Sequence, residues 1–316
     1  MPLVHGLVPT FLLCIADDTG LVSAASSLEL LQTEMNFQVE KVQAWLLANK
    51  LSVHYEDKSQ YMLINSNLNT IVNGPFELKM GGHIISRTKT YRYLGLIVDE
   101  KLSWAEQINE ICSKLSQIAG VIFKIRNLLT KQAMMLVYHS LVGSKLRYGL
   151  ICWATANNFL LNKINVAHNK IITYMTFEKR CTPLWPLYCR LKVLPLNILI
   201  MIEYGKTMFK FKHKMLPGVF DTYFEKPTHL HGTRYAKHNY TKVETKSAKE
   251  KSLLKVMCPN IWFNVPKEIK NSLSLKVFIK SYRNHLIGLA SSSPSPLQFM
   301  HTILPVFFFI LLIFLP

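Results

Sequence analysis

Two adjacent carboxylates, Asp17 and Asp18, stand between an apolar run from Phe11 to Ile15 and a second one at Leu21-Val22. Neighbouring aspartates on a turn repel each other unless a cation lies between them, and oxygen donors of this kind suit Mg²⁺. Asp18-Thr19-Gly20 is also ordinary turn chemistry, so a solvated turn explains the same residues. Of the 11 histidines, His229 and His231 form the tightest pair, and without Cys or carboxylate neighbours they read as loop residues. The six cysteines, Cys14, Cys112, Cys152, Cys181, Cys189 and Cys258, form no C-x-x-C pair and no zinc spacing. That pattern predicts a reduced, intracellular protein, nuclear or cytoplasmic, with buried thiols.

Charge points to a polyanion. Lys and Arg number 37 against 19 Asp and Glu in 316 residues, a net charge of +18. Each Lys or Arg that neutralises a phosphate releases a counterion, so nucleic acid is the first candidate partner and an anionic membrane surface the second. From Lys206 to Lys255 the basic residues face only Asp221, Glu225, Glu244 and Glu250, which predicts a nucleic-acid contact surface or a solvated, loosely folded segment. Leu7 to Ile15 lacks the basic flank and cleavage pattern of a signal peptide and reads as a buried strand. At the other end, Ser291 to Pro296 reads as a linker and 297–316 as an apolar tail, able to serve as a membrane anchor or to be a chance apolar segment.

The elements that must position these residues are legible in the apolar spacing. Ser26-x-x-Glu29 predicts a capping box opening a helix to about Asn49, with Leu28, Leu31, Met35, Val39, Val42 and Trp45 on its buried face. Strands are expected at Tyr61–Ile64, Phe76–Met80, Ile84–Arg87 and Tyr91–Val98, with Gly81-Gly82 as a hairpin turn. Ser103 to Glu106 predicts a second capping box, opening a helix to about Leu129 with Ile108, Ile111, Leu115, Ile118, Ile122 and Ile125 buried and Lys114, Lys124 and Arg126 on other faces. Further helices are expected at about Lys131–Arg147, Asn157–Met175 and Leu196–His213, with Pro183 and Pro186 as interruptions. The fold class is α+β, a small antiparallel sheet with one helix followed by a helical region.

Several stretches in this order resemble non-LTR, jockey-like retrotransposon reverse transcriptases. They are Ala16-Asp17-Asp18-Thr19, the helix end Trp45 to Val53, Lys58 to Ile64, and Tyr93-Leu94-Gly95-Leu96-Ile97-Val98-Asp99 through Trp104. Leu146-Arg147-Tyr148-Gly149 with Trp153 resembles the family's thumb-like region, and Thr233-Arg234 and Trp262-Phe263-Asn264-Val265-Pro266 its C-terminal region. The likeness runs from about Phe11 to Ile287. It divides the chain into the end of a polymerase palm at 1–102, a helical thumb-like region at 103–215, a basic C-terminal region at 216–290, and the linker and tail at 291–316.

The resemblance implies roles. Asp17 would be a direct Mg²⁺ ligand and Asp18 a ligand or electrostatic support, the ions activating a primer 3′ hydroxyl and steadying triphosphate oxygens. Lys58 would contact or protonate the leaving phosphate; a solvated loop lysine is the alternative. Tyr93, Leu94 and Gly95 would lie against the primer strand, or else form a core strand with a Gly bulge. Lys114, Lys124 and Arg126 are the candidate nucleic-acid contacts on the first thumb-like helix. Implied partners are RNA, DNA or an RNA–DNA hybrid, and a deoxynucleoside triphosphate if an upstream half completes the site. Only 16 residues precede Asp17, so the fingers and the earlier metal-binding aspartate have no place in this sequence. The expectation is a truncated reverse transcriptase that binds nucleic acid but does not polymerise alone. A membrane-attached basic protein and a non-functional relic are the alternatives.

Overall fold

The computed structural model describes residues 10–15, 18–55, 59–64, 76–179, 181–226, 239–241, 253–292 and 310–315. The chain is α+β and divides into two compact units, residues 1–107 with 307–316, and residues 108–306.

In the first unit, β1 (Thr10–Ile15) and β2 (Asp18–Ser23) form an antiparallel hairpin with Ile15 opposite Asp18. Helix α1 (Leu28–Ala48) follows, capped by Ser27, whose hydroxyl accepts from the Leu30 amide at 3.3 Å. The cap is therefore one residue later than a Ser26 capping box requires, and Glu29 lies in the first turn without the reciprocal role. Buried along α1 are Leu31, Met35, Gln38, Val39, Val42 and Leu46; Trp45, expected on this face, is 58% exposed. The apolar face packs against Leu21, Tyr61, Leu63, Phe76, Leu78 and Met80. Each fully buried side chain of this size contributes roughly 1.5–3 kcal/mol.

Strand β3 (Gln60–Ile64) does not pair with β2. Both pair with the C-terminal strand Ile310–Leu315, which runs antiparallel to each, and β3 continues the sheet through a short parallel contact with Ser86–Arg87. Residues 310–315, the described part of the apolar tail, are thus extended backbone and not helix.

Of the expected strand Phe76–Met80 only β4 (Lys79–Met80) pairs, antiparallel with β5 (His83–Ile84) across Gly81-Gly82. Side chains of α1 take up the rest. Asn36 accepts from the Lys79 amide at 2.9 Å and donates to the Glu77 carbonyl at 3.2 Å, and Oε1 of Gln32 accepts from the Glu77 amide at 3.3 Å. The expected Ile84–Arg87 strand is split, with its second half β6 (Ser86–Arg87) lying on β3.

Tyr91–Val98 is also not one strand. Strands β7 (Thr90–Tyr93) and β8 (Leu96–Asp99) pair antiparallel, with Tyr93 opposite Leu96, and the chain reverses at Leu94 (φ 46°) and Gly95 (φ 78°). Two consecutive left-handed residues make the tight turn that matches strand twist, so the feature is a hairpin turn and no bulge.

Helix α2 (Ala105–Ile125) buries Ile108, Ile111, Leu115, Ala119 and Ile122. Thr130 caps the run that follows, its hydroxyl accepting from the Ala133 amide at 3.2 Å. This run comprises α3 (Lys131–Val137), a π-helical segment (Tyr138–Gly143) and α4 (Ser144–Arg147). Gly149 at φ 58° then turns the chain into α5 (Leu150–Trp153), and the fully buried Trp153 donates its indole N–H to the Tyr148 carbonyl at 2.9 Å. The Tyr148-Gly149 to Trp153 pattern is thereby accounted for by packing. Helix α6 (Asn158–Thr176) opens on the Asn157 cap, as its spacing predicts.

Helix α7 (Leu184–Leu191) includes Pro186 in its first turn, where a missing N–H costs no hydrogen bond, so this proline does not break the helix. Helix α8 (Leu196–Lys212) packs against α9 (Leu254–Phe263) and α11 (Leu275–Ser292), which follows the single turn α10 (Lys267–Lys270). Among the described residues no single helix is long and apolar enough to cross a membrane; the pair α7 and α8 passes only in combination and is bent by 57°.

The α8–α11 contact depends on a missing side chain. A Cβ on Gly205 would stand 2.6 Å from Cε1 of Tyr282, a ring that is itself buried. Gly205→Ala is therefore expected to destabilise the helical unit by roughly 1–3 kcal/mol despite alanine's better helix propensity, read as a lower midpoint in urea unfolding.

Candidate active-site hairpin and nucleic-acid interface

The β1–β2 hairpin adjoins the Asp pair in the sequence. Ala16 and Asp17 connect two strands whose last pairing is Ile15 with Asp18, so both aspartates belong to the tip by chain order. Asp17 and Lys58 lie outside the described residues, and Asp18 is described by its backbone. Carboxylate pairs are hard oxygen donors, the chemistry Mg²⁺ prefers. Among the described residues no group of three or more His, Cys, Asp or Glu stands close enough to hold a metal ion.

The second expected element, Tyr93-Leu94-Gly95, forms the β7–β8 turn, with Gly95 exposed in it. The opposite end of this hairpin is tied to the start of α2. Asp99, 8% exposed at the end of β8, accepts from three backbone amides: Lys101 at 3.1 Å and Ser103 at 3.0 Å on one oxygen, and Trp104 at 2.7 Å on the other. Gln107 reaches back from α2 and accepts from the Ile97 amide at 2.8 Å. Trp104 sits at φ 62°, so it is not the first helical residue that a Ser103 capping box requires; the Ser103 hydroxyl still accepts from the Ala105 amide at 3.3 Å, and the Asp99 carboxylate ties down the residues just before the helix. An acid followed by a short polar stretch just before a helix was the available signal.

The basic residues of α2 do not form one surface. Lys114 pairs with Glu110 one turn earlier, and Lys124 is exposed. Arg126 turns onto aromatic rings, its guanidinium carbon 4.3 Å from the Phe123 centroid, 4.9 Å from Phe177 and 6.0 Å from Tyr174. At 3.6 residues per turn, Lys124 and Arg126 are about 160° apart around the helix.

Part of the downstream positive charge is structural as well. Lys212 donates to the Lys270 carbonyl at 2.7 Å and to Asn271 at 3.1 Å, and Lys255 pairs with Glu225 at 3.3 Å. Lys270 is buried; it donates to Asn239 at 3.0 Å and to the Phe263 carbonyl at 3.3 Å. Burial, with Lys212 and Lys267 beside it, pushes its ammonium down to about 8. Thr233, Arg234, His229 and His231 lie outside the described residues, whereas Trp262 is fully buried and stacks toward Phe278.

A buried polar chain crosses the helical unit. Tyr138 Oη lies 2.8 Å from His168 Nε2, Tyr188 Oη 3.2 Å from His168 Nδ1, and Tyr188 donates to Asn169 Oδ1 at 2.7 Å. Because the Tyr188 hydrogen is spent on Asn169, His168 must donate from Nδ1 and accept the Tyr138 hydroxyl at Nε2. Full burial, aided by the Arg147 charge, pushes His168 down to about 3, so the ring is neutral. This chain fixes packing, and nothing in the apolar spacing reveals it.

With this geometry in place, the likeness to known proteins can be stated. The chain is similar to the RNA-directed DNA polymerase from mobile element jockey of Drosophila melanogaster, 24% identical over 161 residues, or 50% of this chain. The matched stretch spans 17% of that protein. No family model matches the chain. No solved structure matches it. The similarity supports a relation to retrotransposon reverse transcriptases.

Proposed function

We propose that this chain is a portion of a retrotransposon-type RNA-directed DNA polymerase, carrying the aspartate hairpin of the palm and the helical region behind it. Its retained property is binding of RNA, DNA or an RNA–DNA hybrid. The observation that supports the reading best is the hairpin that brings the Asp17-Asp18 pair to a strand turn, followed in order by α1, β3 and the β7–β8 turn. Asp17 would be the direct Mg²⁺ ligand and Asp18 a second ligand or electrostatic support. A bound ion supplies Lewis acidity toward a primer 3′ hydroxyl and charge neutralisation for triphosphate oxygens.

Lys58 would meet the leaving phosphate, and the Tyr93-Leu94-Gly95 turn would lie along the primer. The helical unit would hold the duplex by its exposed lysines, Lys124 among them. The protein would act inside the cell, in the nucleus or cytoplasm, on a deoxynucleoside triphosphate once a further segment supplies a third carboxylate.

The purified chain is expected to retain an RNA–DNA hybrid in a gel-shift assay and not to extend its primer with Mg²⁺ and deoxynucleoside triphosphates, because the hairpin offers two carboxylates. Failure to retain the hybrid at low salt would refute the reading.

A further inference from the structure

We propose that a cavity in the helical unit takes one unpaired nucleotide of a single-stranded nucleic acid, a reading that rests on the nucleic-acid binding proposed above. The cavity has a volume of about 290 Å³ and is lined by residues of α3, α6 and α7 and by Arg126. This is near the lower end of small-molecule sites, roughly 300–1,000 Å³, and suits one nucleotide unit but no base pair.

Its chemistry has two halves. Three cations line it, Arg126, Lys131 and Arg190, and no acid does. Arg190 is fixed, donating to the Thr176 carbonyl at 2.8 Å and pairing with Glu178 at 3.1 Å. Arg126 is held with its guanidinium over the Phe177 ring, 4.9 Å from the centroid, and its Nη1 donating to the Tyr174 carbonyl at 3.5 Å. The other half is apolar: Met134, Met135 and Met175, with the ring of Phe177, which is 57% exposed. Thioethers adapt to flat surfaces, and an exposed aromatic ring beside a guanidinium is the platform on which single-stranded bases stack.

The backbone holds that ring in place at some cost. Phe177 caps α6 at φ 58°, a conformation that favours glycine, with the Glu178 amide bonding back to the Thr173 carbonyl at 3.3 Å. Phosphate between the cations and base against Phe177 would satisfy both halves at once. An acidic peptide would satisfy only the first.

The test is fluorescence anisotropy of labelled single-stranded oligouridylate with the full chain and three variants whose melting is checked by circular dichroism. Phe177→Leu is expected to weaken binding about tenfold, the loss of one stacked base. Lys131→Gln is expected to weaken it about threefold and to reduce the salt slope by about 0.7, one phosphate on a single strand. Lys276→Gln, exposed on α11, is the charge-matched control and should stay within about twofold. A Phe177→Leu chain that binds oligouridylate as tightly as the wild type, or a Lys276→Gln loss equal to that of Lys131→Gln, would overturn the proposal. If the wild type binds a hybrid duplex but no single strand, the cavity assignment falls while nucleic-acid binding stands. If it binds neither, both fall.

Discussion

Replacing Asp99 by alanine is expected to destabilise the first unit by about 3 kcal/mol. One nearly buried carboxylate accepts three backbone amides, at 2.7, 3.0 and 3.1 Å, as the chain leaves β8 and enters α2. Charge-assisted bonds of this kind are stronger than neutral ones, and each amide stranded without an acceptor costs about 1–3 kcal/mol where water cannot replace it. The bond to Trp104 also holds that residue at φ 62°, a conformation a tryptophan does not adopt unaided. Asp99→Asn keeps the shape but turns one acceptor oxygen into a donor, leaving at least one amide without its acceptor, and should cost about 2 kcal/mol. Urea unfolding of both variants at neutral pH measures the difference, and a loss below about 1 kcal/mol for Asp99→Ala would show that the junction does not depend on this carboxylate.

The second large effect is a pH dependence carried by His168. In the folded chain its pKa is pushed down to about 3, while in the unfolded chain it is about 6.5. The depressed value means that the native state holds a neutral ring and the unfolded state takes up a proton first. Stability from this group is complete above about pH 6.5 and falls by about 1.4 kcal/mol per pH unit as the pH drops toward 3. By pH 5 the loss is about 2 kcal/mol. His139 and His213 are also lowered, by burial and by Arg147 and Lys212 respectively, but both are largely exposed and solvent screens their share. His168→Phe removes the acceptor for Tyr138 and the donor to Tyr188, so it should cost about 3 kcal/mol at pH 7.5 and flatten the dependence between pH 6.5 and 5. A variant with the wild-type slope would place the titrating group elsewhere.

Periodicity carried much of the fold. The spacing of Ile108, Ile111, Leu115 and Ile122 defines a helix that the structure contains, ending at Ile125 and not near Leu129, and the stretch from Asn157 to Met175 matches α6 closely. Gly81-Gly82 defined a hairpin for a steric reason, since both adopt positive φ. Caps were less legible. Ser26 and Ser27 are chemically equal at the start of α1, and only the chain's entry into the helix decides that Ser27 accepts from Leu30. At α2, Ser103 keeps a bond to the Ala105 amide, but the chain before it is held by Asp99, whose proximity depends on the β7–β8 hairpin.

Strand reading failed where side chains replaced a partner strand, as Asn36 and Gln32 do beside Glu77 and Lys79. It also failed at Leu94, a residue that does not advertise a left-handed turn. The insertion of residues 310–315 between β2 and β3 is a long-range pairing, which local pattern cannot encode.

The candidate site is legible to a different degree. The hairpin that carries Asp17 and Asp18 follows from two apolar runs around a turn, and its pairing is observed. The basic contacts were read too simply, because charge counts do not separate an exposed lysine such as Lys124 from an arginine stacked on Phe123 and Phe177, or from Lys270 buried beneath Asn239. Of the cavity residues, charge and helix position mark only Arg126 as a candidate; Phe177 and Arg190 meet it because the ends of α6 and α7 meet.

The most direct measurement of the central claim is the affinity of the purified chain for an RNA–DNA hybrid across a series of salt concentrations. A nucleic-acid-binding portion of a polymerase with a net charge of +18 should show log affinity falling linearly with log salt, with a slope of about −4 or steeper, the release of counterions from about five phosphates. An affinity that stays flat from low to high salt would contradict the account.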